Sequence, residues 1–203
     1  NNGQLSFNIG TGTSWVERIS ATGALSLNTW QHVAGVFDGT TLRIYRDGVE
    51  LTPVTSTGVV GPIASTTAVQ QLSIGNWSQG TDRAFAGKID EARVWNVALS
   101  PAQLMANMNQ ELCGGEPGLR AYYQFNEGVD GGNNAGLTTL IDLSGFGNNG
   151  TLANFALNGP TSNWVQGKTG MTECPPCASA PTAGTINGTT AICSDQTHSL
   201  NLL

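Results

Sequence analysis

Residues 30–51 read WQHVAGVFDGTTLRIYRDGVEL. Apolar residues alternate with others on either side of two Asp-Gly pairs, which is the pattern of strands joined by tight turns. Both central positions of a type I′ hairpin turn need positive φ, and Asp-Gly tolerates this well, so Asp38-Gly39 and Asp47-Gly48 are predicted hairpin turns between three strands. Val33, Gly35 and Phe37 then share one face of the first strand, with His32, Ala34 and Val36 on the other; Leu42 and Ile44 share a face of the second. His32 has no Cys, Ser or second His beside it in sequence and reads as a hydrogen-bonded structural residue rather than a ligand or base. The two aspartates are turn formers first, and calcium ligands only if other oxygens converge on them.

The rest of the chain has the same character. It holds 203 residues, enough for one sandwich-sized domain or one domain and part of another. Glycine is abundant at 27 residues and only 11% of residues are charged, against about 25% in an average domain. Turn-rich β structure with a neutral, hydroxyl-rich surface fits this profile. The net charge is −6 and the eight Lys and Arg are scattered, so no basic cluster is present to neutralise a run of phosphates, and nucleic acid is not an expected partner. No apolar run approaches the roughly 20 residues that span a bilayer. The start NNGQLSFNIG and the end SLNLL lead us to expect a piece cut from a longer chain.

Four blocks follow along the sequence. Residues 1–98 are strand-like, with Gly, Asn and Asp turns. LSPAQLMANMNQEL predicts one short helix, with Ser100 as N-cap, Pro101 in the first turn, Gln103 completing a capping box and Leu99 stapling onto Leu104. Strands are expected again in LRAYYQFNEG, TTLIDLSG, GTLANFAL and NWVQG, separated by Gly/Asn-rich stretches. TECPPCASAPTA is a Pro- and Cys-bearing hinge, and a short β segment follows it.

The cysteines are Cys113, Cys174, Cys177 and Cys193. Cys174, Cys177, Cys193 and His198, spaced C-x2-C-x15-C-x4-H, have the count for a Cys3His zinc site. The competing reading is disulfides, favoured by the linker-like ASAPTAGTINGTTAI between them and by a composition suited to an oxidising exterior.

WQHVAGVFDGTTLRIYRDGVEL, LSIGNW, FAGKIDEARVWNVALSPAQL and GLRAYYQFNEG together resemble the LamG-like jelly rolls, grouped with pentraxins and laminin G modules among the concanavalin A-like lectins. The likeness rests on Trp30, His32, Val33, Ala34, both Asp-Gly pairs, and Phe85, Gly87, Ile89, Asp90, Glu91, Arg93, Trp95, Leu99 and Ser100, and spans about residues 3–112. It implies an all-β fold: an antiparallel two-sheet jelly-roll sandwich with one short helix, plus a short C-terminal β segment. The expected organisation is a jelly roll over 1–170, with the main motifs in 1–112 and closing strands or a half repeat in 113–170. A hinge at 171–182 and the start of a further domain at 183–203 would follow. PTAGTINGTTAICSDQTHSLNLL resembles the opening of Ig-like or PKD-like repeats in long surface proteins of the Bacteroidetes group, which implies a secreted, multidomain parent with flanking domains as neighbours.

The same sandwich supports laminarinase-type glycoside hydrolases, so the resemblance also raises catalysis. Those enzymes draw their two acids from a Glu-x-Asp-x-x-Glu strand, and retaining chemistry wants carboxyl groups about 5 to 5.5 Å apart. The nearest candidates, Asp90 and Glu91, are adjacent and would point to opposite faces of a regular strand. Glu91 could pair with Arg93, and Asp90 could accept donors from a neighbouring loop. No G-x-S-x-G elbow exists, and the two histidines lie in different blocks. The expectation is a module without catalysis.

Binding chemistry is expected in the loop GNWSQGTDRAF, residues 75–85. Trp77 offers a face for a sugar ring, and Asn76, Ser78, Gln79, Asp82 and Arg83 can hydrogen-bond hydroxyls. The competing reading makes Trp77 a cap on the sandwich edge. Pentraxins carry a carboxylate-rich calcium site in the corresponding loop; here no acid follows Gly75 until Asp82. A calcium ion is a candidate elsewhere, on Asp142, Asn148 and Asn149 of DLSGFGNNG, against the simpler reading of an Asn/Gly turn. In a jelly roll closed by residues 119–167, Cys113 would pair with Cys174 or Cys177, leaving Cys193 for the remaining hinge cysteine or for one outside this sequence. The functions in view are an extracellular glycan- or surface-binding module of an adhesin, a structural spacer or assembly domain without a ligand, and a hydrolase.

Overall fold

The structure is a computed structural model, and it describes residues 3–12, 15–58, 61, 63, 72–76 and 84–174. The described residues form an all-β antiparallel sandwich with one α-helix. The chain divides into two compact units, Asn1–Gly87 with Val97–Asn109, and Lys88–Asn96 with Gln110–Leu203.

In the first unit, β1 (Ser6–Gly10), β2 (Trp15–Ser20), β3 (Val33–Phe37), β4 (Leu42–Arg46), β5 (Val49–Glu50) and β6 (Pro53–Thr57) make two three-stranded sheets, β1-β2-β6 and β3-β4-β5. Every pairing is antiparallel. Ile9, Val16 and Leu42 are buried together with Phe7 and Phe37 against them, so the apolar halves of the alternating strands close on one another. Gly35 shows how tightly: a Cβ there would stand 2.5 Å from the Phe7 ring. The face shared by Gly35, Phe37, Leu42 and Ile44 is set by the pairings Gly35 with Ile44 and Phe37 with Leu42.

The two Asp-Gly pairs turn differently. Asp47 (φ 50) and Gly48 (φ 77) make the two-residue type I′ link between β4 and β5. The Asp47 carboxylate also accepts the His32 N–H at 2.9 Å, and the His32 carbonyl accepts the Asp47 N–H at 2.8 Å. Asp38 is a correction to the sequence reading. It is absent from the positive-φ residues, and the link to β4 is longer. Asp38 Oδ1 instead accepts the N–H groups of Thr40 and Thr41 at 2.8 and 2.7 Å, and Arg43 pairs with Oδ2. The side chain organises this loop, where in the second turn the backbone does.

The helix α1 (Pro101–Asn107) begins where the capping box places it. Ser100 Oγ accepts the Gln103 N–H at 3.3 Å and Gln103 Oε1 accepts the Ser100 N–H at 2.9 Å. Its one buried residue is Leu104.

In the second unit β7 (Ala92–Trp95) pairs antiparallel with β8 (Leu119–Tyr123), and β9 (Thr139–Leu140) with β10 (Gly150–Thr151). Strand β8 is buried on both faces: Ala121 and Tyr123 join Leu140 and Trp164, while Leu119 and Tyr122 join Leu112. The segment NWVQG, expected as a strand, is not one. A 3-10 turn at Gly159–Thr161 precedes it, and Trp164 is held by packing instead, edge-on to Phe155 with ring centroids 5.3 Å apart. Its indole lies where a Gly128 Cβ would be, 2.2 Å away, so only glycine fits there. Cys113 and Cys174 are joined by a disulfide with Cα atoms 5.2 Å apart. A parallel bridge between Gln110 and Thr172 sets the two chain segments side by side just before it. Cys177, Cys193, His198, and the expected hinge beyond Cys174 with its following β segment, lie outside the described residues.

Candidate functional site

The loop expected to bind starts and ends in the first unit. The Phe85 N–H donates to the Gly75 carbonyl at 2.7 Å, which pins the two ends of residues 75–85 together. Asn76 is exposed at one end, and Phe85 at the other. Trp77, Ser78, Gln79, Asp82 and Arg83 lie outside the described residues.

Asp90 and Glu91, the acids that a hydrolase would need, are engaged in the second unit. Strand β7 starts only at Ala92, and Glu91 has φ 56, so neither acid sits on a regular strand. Asp90 Oδ2 accepts the Lys168 N–H at 2.6 Å and its Oδ1 the Glu91 N–H at 3.1 Å. Glu91 Oε2 accepts the Tyr122 hydroxyl at 2.7 Å and pairs with Arg93, whose guanidinium also lies over the Tyr122 ring, 5.2 Å from its centroid. The Tyr122 oxygen in turn accepts the Leu112 N–H and Gln124 Nε2, each at 3.0 Å. Burial raises the Glu91 pKa and outweighs the lowering by Tyr122 and Arg93. Burial, then the bond to Glu91, pushes the Tyr122 hydroxyl well above its ordinary range. The cluster ties β7, β8 and residues 110–112 together through a charge-assisted network.

The loop proposed for calcium is organised from within. Asp142, 7% exposed, accepts the N–H groups of Tyr122 and Ser144 on Oδ1, both at 2.9 Å. Its Oδ2 accepts the Ser144 hydroxyl at 2.9 Å and the Asn148 N–H at 2.8 Å. Asn149 Oδ1 accepts the Asp142 N–H at 2.9 Å, and Asn148 Nδ2 donates to the Arg120 carbonyl at 2.9 Å. A carboxylate offers about four acceptor positions, and four protein donors take them. Burial alone would raise the Asp142 pKa; the hydrogen bonds of Ser144, Tyr122 and Asn148 together overcome this and lower it. The donor set does not fit a cation: Asp142 is a loop clamp. Among the described residues no three His, Cys, Asp or Glu gather as a metal cluster.

One exposed aromatic escaped the sequence reading. Trp15 opens β2 directly opposite Gly10 of β1 and is 71% exposed. Its six-membered ring lies 3.7–3.9 Å from where a Gly10 Cβ would be. Since Val16, Phe7 and Ile9 face the core, alternation places Trp15 and Glu17 of β2 on the outer face with Ser6, Asn8 and Gly10 of β1. Ser6 Oγ lies 3.2 Å from Glu17 Oε1 and 3.3 Å from Asn8 Oδ1. A glycine facing a tryptophan across a hairpin was the available signal, hidden because pairing partners are not legible from one strand.

The strands, turns and helix cap of the first unit lie within the residues 1–105 that match the family described as the concanavalin A-like lectin/glucanases superfamily. The chain belongs to that superfamily. This lectin/glucanase-like chain is also similar to two solved structures. One is a Bacteroides ovatus protein to which carbohydrate binding is ascribed, at 26% identity and a TM-score of 0.47, covering 68% of this chain and 40% of that one. The other is an S-layer domain-containing protein of Clostridium thermocellum, at 19% identity and a TM-score of 0.30, covering 51% of each. The lectin-like chain thus spans less than half the length of the first and about half of the second. No curated protein is a significant match. Among the described residues no helix is long and apolar enough to cross a membrane.

Proposed function

We propose that this member of the lectin/glucanase superfamily is a non-catalytic, extracellular module that binds glycan or surface ligands in an adhesin-like protein, with the loop of Asn76, Trp77, Ser78, Gln79, Asp82 and Arg83 as its binding site. The observation that carries the non-catalytic half is the engagement of Asp90 and Glu91. Each carboxylate is committed to backbone or buried partners, Lys168 for one and Tyr122 with Arg93 for the other. A general acid has to reach a leaving group and a nucleophile has to reach a sugar carbon. Membership of a superfamily of lectins and glucanases supports the sugar, and the hydrogen bond between Phe85 and Gly75 holds the two ends of the loop together. The Cys113–Cys174 bond supports an oxidising location. In this reading residues 1–170 are the module, 171–182 a hinge, and 183–203 the first strands of an Ig-like or PKD-like neighbour in a Bacteroidetes-type surface protein.

Affinity electrophoresis in gels containing soluble polysaccharides tests it. Retardation of the wild type by at least one polysaccharide, lost in Trp77→Ala with an unchanged thermal midpoint, is expected. If Trp77→Ala keeps the retardation by every polysaccharide that retards the wild type, the site lies elsewhere. A wild type that no glycan retards returns the chain to the spacer reading.

A further inference from the structure

We propose a second sugar-binding surface that no part of the loop supplies: the outer face of the β1-β2-β6 sheet, where Trp15 stacks the flat side of an uncharged pyranose and Glu17, Asn8 and Ser6 bind its hydroxyls. Tryptophan is normally among the most buried residues on average, and an indole left 71% exposed on the same sheet face as Glu17, Asn8 and Ser6 forgoes that stabilisation. Its setting gives it one free side. Gly10, directly opposite, has no side chain to compete for the space, so the ring can lie along the sheet with its far side to solvent. Aromatic rings with one apolar face and a polar surround are how protein surfaces hold sugars, which are themselves apolar on one side and hydroxylated at the rim.

The polar surround stands at usable spacing. Glu17 is two residues along β2 from Trp15, about 7 Å by strand rise, and pairs directly with Asn8 across the sheet. Ser6 Oγ lies within hydrogen-bond distance of both Glu17 and Asn8 and donates its one proton to either, so the three polar groups stand side by side. A ring resting on the indole therefore has its hydroxyl edge toward a carboxylate and an amide, the pair of groups that can accept from and donate to neighbouring hydroxyls. Charge selects the ligand class. Glu17 is the one ionisable group among these residues and the chain carries −6 overall, so uronate or sulfated polymers are repelled and neutral polysaccharides are favoured.

A purely structural role is the rival: Trp15 could shield the hydrogen bonds beside Gly10, as aromatic residues do for glycines in sheets. The two roles separate by experiment, and the Trp77 loop is separated by a parallel arm. Binding of a neutral β-glucan, a neutral mannan and polygalacturonate is measured by affinity electrophoresis for wild type, Trp15→Ala, Trp15→Phe, Glu17→Ala and Trp77→Ala, each with its thermal midpoint. The expected result is a neutral polymer bound by Trp77→Ala but weakened at least tenfold by Trp15→Ala and by Glu17→Ala. Partial retention in Trp15→Phe and no binding of polygalacturonate are expected alongside it. Ligand should also protect Trp15 fluorescence from acrylamide in Trp77→Ala. Equal binding by Trp15→Ala and wild type, a fall in midpoint with no change in binding, tight polygalacturonate binding, or no neutral polymer bound by Trp77→Ala overturns the proposal. Loss of binding in Trp77→Ala alone overturns it while sparing the loop.

Discussion

Asp142 accepts the Tyr122 backbone N–H at 2.9 Å across a separation of twenty residues, and with its other three donors it fastens the 142–149 loop to β8. Hydrogen bonds to charged groups contribute about 1.5–3 kcal/mol, and a buried donor left without its acceptor costs about 1–3 kcal/mol. Asp142→Asn, which keeps one acceptor oxygen and puts an NH2 opposite N–H donors, should destabilise by about 3 kcal/mol in chemical denaturation. Because the carboxylate is filled by protein donors, millimolar calcium or a chelator should leave the wild-type midpoint unmoved. A calcium-dependent rise would show that the loop opens to a cation.

The same carboxylate sets an acid limit. The folded pKa values of Asp142 and Asp38 are lowered, Asp38 chiefly by its hydrogen bond from Arg43. Their contributions are therefore present above the ordinary carboxylate value of 3.8 and lost as pH falls through the folded values. Glu91 has the opposite sign. Its raised pKa means that its contribution is present below 4.5 and lost as pH rises through the folded value. Stability measured from about pH 7 down to about pH 2 should fall in acid, and Asp142→Asn should flatten that fall. Glu91→Gln should instead remove a decline on the neutral side.

Gly128 sits under the Trp164 indole, with no room for a methyl group. Gly128→Ala should cost about 3 kcal/mol or more, the upper end for overpacking a core, since Trp164 is 3% exposed and has nowhere to move. Trp164 fluorescence should report a changed environment. An unchanged midpoint and emission would mean that the ring relocates at no cost.

The Cys113–Cys174 bond closes a loop of sequence separation 61. Loop-closure entropy assigns such a bond about 4 kcal/mol. Cys113→Ser should lower the denaturation midpoint accordingly, and reductant should bring the wild type to the same value. Non-reducing peptide mapping should recover the 113–174 pair; a recovered link from Cys113 to Cys177 would contradict it.

Features made by neighbouring residues were legible before any folding was considered. The Asp47-Gly48 turn, the alternation of β3 and β4, and the Ser100–Gln103 capping box each depend on a few consecutive residues, and each forms as its residue types require. The all-β class followed from the same local signals. What the sequence left open depends on partners far along the chain. Asp38 is the exception, since its loop is set by Thr40, Thr41 and Arg43, all near it in sequence. Asp142 offered the same oxygens to a calcium ion as to Tyr122 and Asn148, and only the approach of β8 fills them with backbone donors. Residues 163–167 carry a strand-like composition, but they form no strand, and Trp164 is buried there against Gly128 and Phe155. Whether Trp15 would face the core or the solvent turned on which residue of β1 stood opposite it, and pairing register is a property of two strands, set when Phe7, Ile9 and Val16 bury their side chains together.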